Sequence, residues 1–287
     1  MNKRKITALL LILGLALAAL TGCGGSQTPP ADQGSQQNGD AGSEPVKLII
    51  GATPEPHAEI LLKAKELLQE KGIELDIREF TDYTTPNIAL NDGSLDANFF
   101  QHVPYLDEFK EQNNMDLTWT TAVHFEPLGL YSQKIKDLSE LKDGDRIAVP
   151  NDTTNEARAL WLLQDNGIIT LKEGVGLTAT VTDITEYHVK VQILELEAPQ
   201  LPRALEDATA AVINGNYAIG AGLNPARDAI VMEDPTSMAA DTFKNVIAVR
   251  VGDENRPEIL ALDEVLTSPE MKQFLEEKYQ GAVVPVF

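Results

Sequence analysis

Cysteine is nearly absent: Cys23 is the only one in 287 residues, which excludes a disulfide within the chain. Histidine is scarce as well. His57, His102, His124 and His188 are the only four, and no two stand at the spacing of metal ligands in a helix or knuckle, so no metal is expected. Basic residues are outnumbered, 23 against 44 acidic, for a formal charge of -21. Such a balance opposes binding to nucleic acid and to bare anionic lipid. There is no P-loop, no G-x-S-x-G elbow and no H-E-x-x-H pair, so neither an enzyme nor a cofactor is expected. Acidic pairs such as Glu195 and Glu197 carry little information in so acidic a chain. The longest apolar run, Leu9 to Leu20, is too short to span a bilayer.

That run has another reading. Lys3, Arg4 and Lys5 precede it as a positive n-region, and together they have the layout of a secretory signal over residues 1–22. The run stops at Leu20-Thr21-Gly22-Cys23, which resembles the lipobox of bacterial lipoproteins. Lipidation of Cys23 would account for a lone thiol in an exported protein and anchor the chain on the extracytoplasmic face of the cell membrane. Residues 24–45 are Gly, Ser, Gln, Pro, Asn and Asp with hardly an apolar side chain; they cannot offset their ordering entropy by burial and read, with Cys23, as a tether. Without the signal, 20 basic and 44 acidic residues remain, near -24.

From residue 46 the pattern alternates between strand and helix. VKLIIGA (46–52) reads as a buried strand. Ile60, Leu61, Ala64, Leu67 and Leu68 share a helical face ended by Gly72, and Ile73, Leu75 and Ile77 alternate as a strand. A brief helix follows Pro86, then a strand over 95–100 and a helix opened by Pro104. After a long extended stretch, residues 117–132, the alternation restarts: strand 146–149, helix 154–166, strands 191–196 and 210–213, helix 216–222, strand 245–251 and helix 268–279. This predicts an α/β protein with largely parallel sheets, in two lobes joined by two crossings, with ligand space in the cleft between them.

Three groups of residues could carry chemistry. In PNDTTNEARAL (150–160) a strand runs into a helix N-terminus, a ready anion site. Thr153 and Glu156 have capping-box spacing, and Arg158 adds a guanidinium fork suited to a carboxylate. Tyr83, Phe99, Phe100 and Tyr105, with His102, are concentrated within residues 83–105. In an extended segment Phe99 and Phe100 face opposite ways, so one can be core while the other lines a cleft. Aromatic walls suit a thioether or an ammonium, although core packing explains them equally well. Asn214, Asn216 and Asn245 lie near element ends, where an amide can hold a head group or simply make a turn.

FTDYTTPNIALNDGSLDANFFQH, AVPNDTTNEARALWLLQ, LEAPQLPRALED and AVINGNYA, in this order, resemble the methionine-binding lipoproteins of ABC importers (the NlpA/MetQ-like family) over essentially all of residues 45–287. The resemblance implies a two-lobed periplasmic-binding-protein fold of type II, with lobes 46–128 plus 245–287 and 129–244, and with Phe125–Ser132 and Asn245–Val251 as crossover strands. It implies a methionine ligand whose side chain is surrounded by Tyr83, Phe100 and His102, a carboxylate held by Arg158, and a head group contacted by Asn216 and Asn245, with Asn155 beside them. The stretch before Asn245 (SMAADTFK) departs from the family's pattern. The implied partners are the small-molecule ligand, a permease and ATPase complex, and the membrane through the lipid anchor. Rival readings keep the architecture and change the ligand to another amino acid, D-methionine or a short methionine peptide. An enzyme on this fold and a ligand-free adhesin are more distant alternatives.

Overall fold

The computed structural model describes residues 44–287; the signal segment, Cys23 and nearly all of the tether lie outside the described residues. The chain opens with strand β1 (Val46–Ala52), helix α1 (Glu59–Glu70), β2 (Ile73–Glu79), α2 (Thr85–Asn91), β3 (Ala97–His102), α3 (Val103–Asn113) and β4 (Leu117–Phe125). It continues through β5 (Gly129–Tyr131), β6 (Arg146–Pro150), α4 (Thr153–Asp165), β7 (Ile169–Leu171), β8 (Ile184–Tyr187), β9 (Gln192–Leu196), α5 (Leu201–Ala204), β10 (Ala210–Ile213), α6 (Gly215–Gly220), α7 (Pro225–Asp228) and β11 (Val231–Met232). It closes with α8 (Met238–Thr242), β12 (Lys244–Arg250), α9 (Pro257–Leu266), α10 (Pro269–Tyr279) and β13 (Val284–Pro285). Among the described residues no helix is long and apolar enough to cross a membrane.

Two principal sheets result, one per lobe: six strands in the order β13-β4-β12-β3-β1-β2, and five in the order β11-β5-β10-β6-β9. Each is mixed, not largely parallel as the alternation suggests. β1 runs parallel to β2 and β3, and β6 parallel to β9 and β10. β12 is antiparallel to β3 and β4, and β5 antiparallel to β10 and β11. The cause is the double passage between lobes. The chain leaves the first sheet on β4 and re-enters it on β12, while β5 enters the second and β11 leaves it. Strands that go out and come back through one junction must oppose each other.

The passages themselves are shorter than the sequence suggests. The expected crossing Asn245–Val251 is not one: Asn245 to Arg250 lies inside the six-stranded sheet, between β3 and β4. The two sheets are linked by residues 126–128, between β4 and β5, and by residues 233–243, between β11 and β12. The unfamiliar SMAADTFK stretch forms α8 within the second passage.

Side-chain alternation fixes the faces. On β12, Ile247 and Val249 join the core under α1, α9 and α10, whereas Val246 and Ala248 join a smaller core with Leu90, Leu95 and Leu106 on the opposite face. β10 does the same in the second lobe, with Ala210 and Val212 on one face and Ala211 and Ile213 on the other. A sheet buried on both faces positions its strand ends rigidly, and the ends of β3, β6 and β10 present the site.

Candidate functional site

β3 is buried at all six positions. Phe99 packs into the helix-covered core, and Phe100, one residue on, turns into a cavity between the lobes, as strand periodicity requires. His102 ends the strand and caps α3: the Tyr105 backbone N–H donates to its Nδ1 at 3.2 Å. That bond assigns the proton of the neutral ring to Nε2, which faces Asn155 Oδ1 at 3.1 Å in the other lobe.

The tautomer propagates. Asn155 Oδ1 accepts from His102 and from Asn214 Nδ2 at 2.8 Å, while Asn155 Nδ2 donates to Asp152 Oδ1 at 2.7 Å. With Asn214 Nδ2 committed as a donor, Asn214 Oδ1 is left as an acceptor, and this buried atom has no hydrogen-bond partner among the described residues. An unpaired buried carbonyl costs about 1–3 kcal/mol, and because Asn214 lines the cavity, its amide oxygen calls for a donor from outside the chain. The start of α4 differs from expectation here. Asp152, not Thr153, is the N-cap and accepts from the Asn155 N–H. Glu156 is absent from the cap because its Oε1 accepts from Val181 N instead.

Arg158 lies one turn into α4 and is buried. Its Nε and Nη2 fork is bidentate to Glu233, with Nε–Oε1 at 2.7 Å, and Nη2 also donates to Glu126 O at 2.8 Å. One carboxylate-binding edge is therefore occupied from within, and only Nη1 makes no hydrogen bond to a described residue. Phe125 and Phe243 place their rings 5.6 and 4.2 Å from the guanidinium carbon.

Beside the cavity, His57, His124 and Glu126 bring a ring nitrogen or carboxyl oxygen each within 4.8 Å of one another, although the histidines are distant in sequence. His124 Nε2 lies 2.8 Å from Glu126 Oε1, and His57 Nε2 lies 3.1 Å from Asn245 Oδ1 and 3.3 Å from Glu126 Oε1. Thr53 Oγ1 holds the other His57 nitrogen at 2.7 Å. These are hydrogen-bond distances between neutral rings and a carboxyl group. Burial pushes His57 down to about 4 and His102 and His124 to about 3, and it pushes the Glu126 carboxyl up.

All seven positions singled out in the sequence (Tyr83, Phe100, His102, Asn155, Arg158, Asn216 and Asn245) line one cavity, concave and mixed in aromatic and polar lining as small-molecule sites are. Tyr83, Phe100 and Tyr105 form an aromatic triangle with centroids 5.7 to 6.1 Å apart. Tyr83 also reaches across the lobes, its hydroxyl donating to Asn216 Oδ1 at 2.5 Å. Five further lining residues, Gln101, Tyr105, Glu126, Asn214 and Gly215, were not singled out as ligand contacts. Tyr105 and Asn214 were in view through their clusters. Gly215 had no signal: a Cβ there would stand 2.6 Å from Glu126 Cβ, a constraint visible only in three dimensions.

Two α/β lobes, two linking passages and a cavity between them lined by aromatic and polar side chains define a type II substrate-binding protein, a class that binds and does not catalyse. Comparison with known proteins agrees. The family model described as NlpA lipoprotein matches residues 48–287, and the chain belongs to that family. Similar curated proteins include the methionine-binding lipoprotein MetQ of Bacillus subtilis, 40% identical over 290 residues that cover 100% of this chain and 99% of the relative. The D-methionine-binding lipoprotein MetQ of Escherichia coli K12 is 39% identical over 93% of this chain and 92% of its own. Among solved structures, a nutrient binding protein from Burkholderia cenocepacia bound to methionine superposes with a TM-score of 0.80 at 43% identity, covering 84% of this chain and 100% of that one. The protein is a lipoprotein held at the extracytoplasmic face of the membrane, a substrate-binding component of an ABC amino-acid importer.

Proposed function

We propose that the cavity captures L-methionine and that the protein delivers it to the permease and ATPase of its importer. The lobes in this reading are residues 46–128 plus 245–287 and residues 129–244. The observation that carries it is the pairing of an aromatic triangle with two uncommitted, opposite head-group functions, Arg158 Nη1 and Asn214 Oδ1. A carboxylate suits the first and an ammonium the second, while Tyr83, Phe100, Tyr105 and the His102 ring give a polarizable wall for a thioether. Asn216 and Asn245 have their carbonyls taken by Tyr83 and His57, so their N–H groups serve the ligand. Asn155 acts mainly by holding His102 and Asn214.

Enclosure suits tight binding. Methionine has nine non-hydrogen atoms, and at a ceiling of about -1.5 kcal/mol per atom it can reach roughly -13 kcal/mol; nanomolar affinity takes about -12 kcal/mol. Almost every atom must then be in contact, which two lobes closed over the ligand provide and an open groove does not. A second reading, D-methionine, is favoured by the name of the Escherichia coli relative. Thermal-shift measurements with L-methionine, D-methionine, leucine, glutamate and glycyl-methionine test both. The largest stabilisation is expected from L-methionine. A larger shift from the D-enantiomer or the dipeptide replaces the ligand, and no shift from any of them removes the reading.

A further inference from the structure

Arg158 is tied to both passages between the lobes. Nη2 donates to Glu126 O in the first, and Nε and Nη2 bind the Glu233 carboxylate at the start of the second. Glu233 also staples the passages together: its Oε2 accepts from Leu128 N and its own N–H donates to Leu128 O, each at 2.9 Å. The rings beside the guanidinium belong to Phe125, the last residue of β4, and Phe243, the residue before β12. The side chain that meets the ligand thus sits at the mechanical junction of the molecule.

Its charge is also spoken for. The Arg158 and Glu233 side chains are 5% and 10% exposed, and in so dry a setting an ion pair must be balanced locally. Before any ligand arrives, the guanidinium is already neutralised. A ligand carboxylate on Nη1 brings a second negative charge to a matched pair, with the Glu126 carboxyl lining the same cavity. Only a ligand that carries its own positive charge restores the balance.

We propose that Glu233 is a positioning and specificity-determining residue: it fixes Arg158 across both passages and, by cancelling its charge, restricts the cavity to zwitterionic head groups over net anions. Deaminated carboxylic acids with the same side chain are thereby rejected. This rests on the assignment of Arg158 to the ligand carboxylate made above.

The test compares L-methionine with 2-hydroxy-4-(methylthio)butanoate, a net anion of the same side chain, by titration calorimetry on wild type, Glu233→Gln and Glu233→Asp. In Glu233→Gln the preference for methionine over the hydroxy acid should fall by about tenfold or more, because Arg158 then offers an unbalanced charge. Glu233→Asp should weaken both ligands and keep the wild-type preference. A purely structural role weakens both ligands equally in Glu233→Gln, and that unshifted ratio overturns the proposal, as does an equal shift in Glu233→Asp. Should neither variant fold, wild type decides: a hydroxy acid bound within about tenfold of methionine contradicts the charge argument, and one bound more than about a hundredfold more weakly supports it. Wild type that binds no amino acid defeats the functional reading itself, whereas methionine binding with an unshifted ratio defeats only the role of Glu233.

Discussion

Replacing Tyr83 with Phe removes one oxygen from the aromatic triangle and leaves the rings in place. That oxygen donates across the lobes to Asn216 Oδ1 at 2.5 Å, and Asn216 is only 5% exposed. Burial holds the phenol neutral, well above its usual range, so the donor is present at every working pH. A net hydrogen bond contributes about 0.5–1.5 kcal/mol, and a buried acceptor left bare costs about 1–3 kcal/mol. Because the bond joins the lobes, its loss falls on the closed, ligand-holding state. About 1.4 kcal/mol corresponds to tenfold in Kd, so methionine should bind about tenfold more weakly, chiefly through faster dissociation. Tyr217 provides the internal control. Its hydroxyl also crosses the lobes, to Thr81 O at 3.0 Å, but in an exposed position, so Tyr217→Phe should change Kd by no more than about threefold. Calorimetry with stopped-flow dissociation measures both. An unchanged off-rate in Tyr83→Phe, or a larger effect from Tyr217→Phe, refutes the reasoning.

Other outcomes follow from the same geometry. Burial pushes Asp263 up to about 6, with one opposing hydrogen bond from Thr120 Oγ1 at 2.9 Å. A carboxyl raised in the fold contributes stability that is complete below the unfolded value near 3.8 and is lost as pH rises through about 6. Asp263→Asn should therefore stabilise by up to about 2 kcal/mol in urea melts at pH 7.5, after discounting for partial exposure, and by nothing near pH 4. Gly215→Ala would push a methyl group to 2.6 Å from Glu126 Cβ and 2.7 Å from its Oε2; a loss of about 1–3 kcal/mol in stability, with weaker ligand binding, should appear in melts and calorimetry. The His57, His102 and His124 rings, held down at about 4, 3 and 3, should show no NMR titration between pH 8 and pH 5. Their stabilising contribution is complete above about 6.5 and declines as pH falls toward 4; a ring that titrates near 6.5 contradicts its burial.

How much of this was legible in the sequence depends on how local each cause is. The opposite fates of Phe99 and Phe100 follow from strand periodicity alone, as does the alternation along β12. The start of α4 was readable to within a residue, yet its cap fell to Asp152, because Glu156 found a partner 25 positions away in Val181. Helix α9 was not anticipated, although Ile259, Leu262, Val265 and Leu266 repeat on one face. The β7–β8 hairpin was missed because its strands are three and four residues long. Arg158 was found as a cation at a helix start, but Glu233 was not, since an acid 75 positions on is one of many in so acidic a chain. Likewise the junction of His57, His124 and Glu126 joins the segment after β1 to the end of β4 and the passage beside it, through Asn245 of β12, which no spacing rule encodes.

The central claim is that the cavity between the lobes is an L-methionine site. Calorimetric titration of the protein lacking residues 1–22, after unfolding and refolding to remove carried-over ligand, tests it most directly. One-to-one binding of L-methionine, tighter than micromolar and at least about tenfold weaker in Arg158→Lys, is the expected result. No heat from L-methionine, with tight binding of an unrelated amino acid, would contradict it.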